Sequence, residues 1–219
     1  LGSGELTNGP LLWQIGRSGC ELILSTGMAV LDEIKEALGL LTLATPDRAQ
    51  PGPRPFADHY RYDLLKDRIT LLHCTTEYPC PTDKVNLRAM DTLKESFGLQ
   101  VGYSDHTQGI NVAIAAAARG ARVLEKHFTL DRKLPGPDHR ASLEPDELQA
   151  LVTGVAEVSR ALGEAEKTPD DIERSNARVV RKSLVAAQDI AASEVFSSEN
   201  LTVKRPGTGA SPMAYWDYL

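Results

Sequence analysis

The chain has 219 residues, 42% of them hydrophobic and 25% charged, with a formal net charge of −6 from 24 basic and 30 acidic side chains. That length supplies one sizeable core, or one domain with a smaller companion, and without a Lys/Arg run no nucleic-acid partner is expected. No apolar run approaches the roughly 18 residues that span a bilayer, so no membrane partner is expected either.

The opening LGSGE has no initiator Met and no signal peptide, and reads as the middle of a longer chain. Four short apolar runs then end in polar residues, at 21–26 (ELILST), 69–75 (ITLLHCT), 100–105 (QVGYSD) and 122–128 (RVLEKHF). Each is followed by a helical pattern. Residues 28–41 place Leu31, Ile34, Leu38 and Leu41 near the 3.6 period, and residues 85–97 do the same with Leu87, Met90, Leu93 and Phe97. Residues 110–118 are small and apolar, which predicts close packing. Strands alternating with helices predict βαβ units and a parallel sheet.

Residues 42–67 carry Pro46, Pro51, Gly52, Pro53 and Pro55 and read as a surface insertion or a lid. At 142–145 the sequence SLEP predicts a helix start, with Ser142 as cap and Pro145 in the first turn. A long amphipathic helix over 144–162 follows. Residues 166–182 are polar and read as a linker. From Ser183 the segments SLVAA, EVF and LTVKRPGTG predict short β-strands of a second, small domain. The expected organisation is therefore 1–165, a linker at 166–182, and 183–219. The cysteines, Cys20, Cys74 and Cys80, lack metal-type CxxC spacing and read as thiols of a cytoplasmic protein.

Ligands of α/β proteins sit beyond the carboxyl ends of the strands. Here those ends carry Ser25-Thr26-Gly27, His73-Cys74-Thr75-Thr76, Ser104-Asp105-His106 and Glu125-Lys126-His127. Side chains alternate across a strand. Glu125 and His127 therefore share one side, with Lys126 on the other, and Ser104 shares a side with His106. Two imidazoles on neighbouring strand ends could meet at one divalent ion, Mn²⁺ or Zn²⁺, and oxygens in the remaining positions would favour Mn²⁺. Asp105 reads as a group that orients a ligand, or as a helix cap. The turn Pro135-Gly136-Pro137-Asp138-His139 is stiffened by its prolines, which could hold Asp138 over the site.

The segments HCTTEYPCP (73–81), NLRAM (86–90), GYSDHT (102–107), EKHFTLDR (125–132), LPGPDH (134–139), SLEP (142–145) and VKRPGTGASP (203–212) together resemble the sialic acid synthase family. GSGELTN (2–8) and LSTGMA (24–29) resemble it too. The resemblance spans nearly the whole chain apart from 42–67. It implies an α/β fold: about the second half of a TIM (βα)₈ barrel, followed by the start of a small antifreeze-like domain. It also implies a metal-dependent condensation of phosphoenolpyruvate with an N-acetylated amino sugar. His106 and His127 resemble the metal ligands, for Mn²⁺ first, with Mg²⁺ or Co²⁺ admissible. Ser3, Ser25 and Ser104 resemble phosphoenolpyruvate contacts, and Thr76 stands where some members have Asn. Glu5, Tyr78 and Asp138 resemble sugar contacts, and Glu125 a catalytic or orienting carboxylate. Glu125 and Glu5 are thus the candidate catalytic carboxylates. Arg205 resembles an arginine that reaches the sugar's acetamido group from the partner subunit of a domain-swapped homodimer.

A complete (βα)₈ barrel takes roughly 250 residues. Four strands and the tip of a fifth at residues 1–5 are expected here. The lysines that would pair with the substrate's phosphate and carboxylate lie outside the sequence, so the chain is expected to be a fragment. A metal-dependent hydrolase on a similar barrel and a non-catalytic sugar-binding protein remain as alternatives.

Overall fold

The computed structural model describes all 219 residues. They form two compact units, Leu1–Gly163 and Glu164–Leu219.

The first unit winds strand and helix alternately. Helix α1 (Gly9–Ser18) starts where the Asn8 side chain accepts the Leu11 N–H, and ends at Gly19 in the left-handed region. Strand β1 (Leu22–Ser25) leads to α2 (Leu31–Leu43), whose first turn is tied by the Glu33 carboxylate accepting the Val30 N–H at 3.0 Å. After the short α3 (Tyr62–Leu65) come β2 (Ile69–His73), α4 (Ala89–Phe97), β3 (Gln100–Asp105), α5 (Asn111–Ala118) and β4 (Leu124–Lys126). Helix α6 (Pro145–Leu162) closes the unit.

The four strands are parallel and lie in the order β1-β2-β3-β4, a curled half-barrel sheet. Leu1 adds one rung outside β1: its amino group donates to the Ile23 carbonyl and its carbonyl accepts the Ser25 N–H. The expected strand tip is this single rung, because Ser3–Glu5 turn into a 3₁₀ helix. Leu24, Leu71, Val101 and Tyr103 bury one face of the sheet against Leu38, Leu93 and Phe97 of the helices. The opposite face carries Ser104 and Glu125.

Residues 42–67 differ from a plain surface loop. They contain the 3₁₀ turn Ala57–His59 and α3, and Leu65 is only 2% exposed. The segment folds back onto α2 at Gly39, where a Cβ would fall 1.9 Å from the Phe56 carbonyl oxygen. Only glycine permits that approach. The Glu36 carboxylate accepts the Phe56 N–H, and the Tyr60 ring meets Phe97 edge-on with its hydroxyl on the Phe97 carbonyl.

Ser142 does not cap α6. Its hydroxyl donates back to the Asp138 carbonyl, and the N-cap is Glu144, whose N–H is accepted by Glu147. The turn before the helix has its own carbonyl to satisfy, and the serine is spent there.

In the second unit, residues 171–180 of the expected linker form helix α7 (Asp171–Val180), capped by the Asp170 carboxylate on the Glu173 N–H. Strands β5 (Ser183–Ala186) and β6 (Leu201–Lys204) pair antiparallel. The EVF segment is not a strand. It wraps around Asn200, 2% exposed, whose amide donates to the Val195 carbonyl and accepts the Ser197 N–H. No helix of either unit is long and apolar enough to cross a membrane.

Candidate active site at the strand ends

Strand alternation sorts the polar residues of β3 and β4 into two sets. On the face away from the helices, the Ser104 hydroxyl donates to Glu125 Oε1 at 2.7 Å and lies 3.3 Å from His106 Nε2. His106 Nδ1 lies 2.7 Å from the Thr75 carbonyl. A carbonyl can only accept, so Nδ1 carries the hydrogen and Nε2 presents a lone pair beside Ser104. Burial pushes the His106 pKa below its ordinary value, against the raising effect of that carbonyl, and keeps the ring neutral.

The His127 ring stands nearly perpendicular to His106, with centroids 5.5 Å apart. Tyr78 lies over both, 4.2 Å from His106 and 5.5 Å from His127. Burial raises the Tyr78 pKa, and the acidic groups of Cys74, Asp138 and Glu125 add to the effect. Asp138 Oδ2 is 3.9 Å from His127 Nδ1. Ser104, His106, Glu125, His127, Tyr78 and Asp138 therefore form one cluster.

A second cluster adjoins it. The Ser3 hydroxyl accepts the Gly27 N–H at 2.9 Å and lies 3.1 Å from Cys74 Sγ. A Cβ on Gly27 would fall 2.6 Å from Thr76 Oγ1, 2.7 Å from Ser3 Oγ and 2.9 Å from Cys74 Sγ. The missing side chain leaves a small cradle walled by two hydroxyls and a thiol. Ser25 is buried at the end of β1. Glu5 turns aside: its carboxylate accepts the Asn8 amide at 2.6 Å on the exposed start of α1. Arg205 is exposed just after β6, in the second unit.

On the helix-facing side, Lys126 Nζ donates to Asp105 Oδ2 at 2.8 Å and to the Thr107 carbonyl at 2.6 Å. The side chains are 4% and 0% exposed. Asp105 Oδ1 also accepts the Thr107 N–H and hydroxyl and the Tyr103 hydroxyl. Sequence reading placed Lys126 away from the site but did not pair it with Asp105. The in-register facing of the two residues was the available signal.

The side chains do not include a group of three or more His, Cys, Asp or Glu arranged around one metal position. The two imidazoles nevertheless fit a cation that takes its other ligands from oxygens. One is neutral with a free Nε2, the other stands at right angles nearby, and Glu125 and Asp138 supply anionic oxygens at the rim.

The NeuB family model matches residues 1–167, and the SAF domain model matches residues 181–219. The N,N'-diacetyllegionaminic acid synthase of Campylobacter jejuni is 49% identical over 217 residues, 99% of this chain and 60% of that protein. Human N-acetylneuraminate-9-phosphate synthase is 34% identical over 205 residues, 93% of this chain and 51% of that protein. The chain thus spans 51–60% of the length of these relatives. A solved structure of the N-acetylneuraminic acid synthetase from Leptospira borgpetersenii, in complex with citrate, superposes with a TM-score of 0.64 at 34% identity, covering 80% of this chain and 54% of that one. With a family model matching residues 1–167 and a relative 49% identical along nearly all of its residues, the chain belongs to the NeuB family.

Proposed function

We propose that the full-length protein condenses phosphoenolpyruvate with an N-acetylated amino sugar, giving a nine-carbon sialic-type acid and phosphate. The meeting of Ser104, Glu125, His106, His127 and Tyr78 on one sheet face carries this reading.

His106 and His127 would hold a divalent cation, Mn²⁺ for preference with Mg²⁺ or Co²⁺ as alternatives. When bound, such an ion would supply Lewis-acid polarisation of the sugar's open-chain aldehyde. Carbon 3 of phosphoenolpyruvate forms the new bond to the aldehyde carbon, whose oxygen gains a proton. Water then adds at the electron-poor carbon 2, and the bond from that carbon to the phosphate oxygen breaks to leave a ketone. Glu125, held by Ser104, is placed to take the proton that water loses. Ser3, Ser25, Thr76 and Ser104 bind phosphoenolpyruvate, and positioning the two reactants supplies much of the rate. Tyr78 and Asp138 bind the sugar, with Glu5 as a further carboxylate on the sugar side. Arg205 serves the acetamido group within a homodimer. The free thiols Cys20, Cys74 and Cys80 fit a reducing cytoplasm.

The acceptor is N-acetylmannosamine or a 2,4-diacetamido relative. Support for the latter is the pair of legionaminic acid synthases, 49% and 42% identical over 99% and 96% of the chain, against pseudaminic acid synthases that match over 69%. The test is phosphate release from phosphoenolpyruvate by the full-length protein with each acceptor and Mn²⁺. Turnover is expected, and is expected to disappear in His127→Ala together with bound Mn²⁺. Unchanged turnover and metal content in that variant would refute the assignment. Preference for the altrose-configured acceptor of the pseudaminic branch would refute the choice of sugar.

A further inference from the structure

The second unit contains a cavity of about 440 Å³ between the last turns of α7 and the loop after β6. Arg174, Arg178, Arg181 and Lys182 line it, and no acidic residue does. The spacing explains the clustering: Arg174 and Arg178 lie one turn apart on one face of α7, and Arg181 and Lys182 follow directly at its end. Arg174 is neutralised by Asp171 at 2.8 Å. Arg178, Arg181 and Lys182 have no ion-pair partner. The opposite wall is the glycine loop Gly207-Thr208-Gly209, which puts main chain rather than bulk against the cavity. Both glycines have positive φ, 88° and 142°.

Three unpaired cations in one concavity repel each other, and the chain around them is net acidic. An anion removes that cost. Guanidinium groups match the geometry of phosphate and carboxylate oxygens, and glycine-rich turns commonly present main-chain amides to phosphate. The volume falls within the ~300–1,000 Å³ of small-molecule sites, which favours a metabolite over a polymer.

We propose that this groove binds the phosphate group of a small phosphorylated metabolite. The site stands on residues of the second unit alone, so it does not depend on the proposed condensation.

The experiment is calorimetric titration of the full-length protein with pyrophosphate and with a hexose 6-phosphate, at two salt concentrations. Saturable binding of one ligand per chain is expected. In Arg178→Gln/Arg181→Gln, affinity should fall by about tenfold or more, the loss of charge-assisted hydrogen bonds. Both arginines are exposed, so the fold should survive, and an unchanged melting curve checks this. Lys35→Gln, an exposed charge on α2, should leave binding intact. No saturable binding, equal weakening in Lys35→Gln, no effect of the double substitution, or tighter binding of a DNA duplex than of pyrophosphate would each overturn the proposal.

Discussion

At the level of single residues, position on a strand end decides chemistry. Ser104 and Glu125 are joined at 2.7 Å because β3 and β4 are in register there and both side chains leave the same face. Glu125→Gln preserves an oxygen that can accept the Ser104 hydroxyl but cannot take up a proton at neutral pH. We expect kcat of the full-length protein to fall by about 10²- to 10⁴-fold, with the KM for phosphoenolpyruvate little changed. Steady-state kinetics would show it, and a change confined to KM would assign Glu125 to binding instead. The alternation of side chains made it legible in the sequence that Glu125 shares a side with His127 and Ser104 with His106, whereas the bond between Ser104 and Glu125 depends on the register of β3 and β4. The Gly27 cradle was not legible. It depends on where Ser3, Cys74 and Thr76, brought from three separate segments, come to rest around one missing Cβ. Nor was the direction of Glu5, which a local amide captures.

Among elements, the contrast between the two faces of the sheet matters most. The Lys126–Asp105 pair ties β4 to β3 from behind, where water is excluded. Removing one partner of such a pair strands the other charge, at about 3–5 kcal/mol, whereas replacing both by apolar groups is often neutral. We therefore expect Asp105→Asn to lower stability by about 3 kcal/mol, and Asp105→Asn/Lys126→Met, which keeps an oxygen for the Tyr103 and Thr107 donors, to recover most of it. Urea melts of the four corners of the double-mutant cycle measure this, and additive losses would refute the coupling. His73, at the end of β2, gives a pH dependence. Burial lowers its pKa from the ordinary 6.5, partly offset by the Val85 carbonyl that it meets at 2.7 Å. The unfolded chain then takes up the proton first. His73's contribution to stability is full above 6.5 and is lost as pH falls through the lowered folded value. His73→Gln should flatten the fall in urea midpoint between about pH 7.5 and about pH 5; an unaltered slope would exclude that role. The strands and the helices α2, α4, α5 and α6 were readable from periodicity. Helix α7 was missed because its stretch is polar and buries no residue. The docking of 42–67 was missed because it rests on a backbone approach at Gly39 rather than on an apolar stripe.

For the whole molecule, the proposed homodimer makes a sharp demand. If Arg205 serves a partner's site, two inactive full-length variants, Arg205→Ala and His127→Ala, should regain part of the activity when mixed and re-equilibrated. A mixed dimer then unites one intact arginine with one intact strand-end cluster. No recovery in verified mixed dimers would exclude a cross-subunit role. The order of the sheet has a consequence for how the site comes into being. Each strand lies beside its predecessor in the chain, so the sheet can grow outward one strand at a time as the polypeptide leaves the ribosome. The cradle hydroxyls of Ser3 and Thr76 are made first, then Ser104 and His106, then Glu125 and His127. The second imidazole is translated last of these, so a nascent chain lacks the facing of His106 and His127 until β4 has docked.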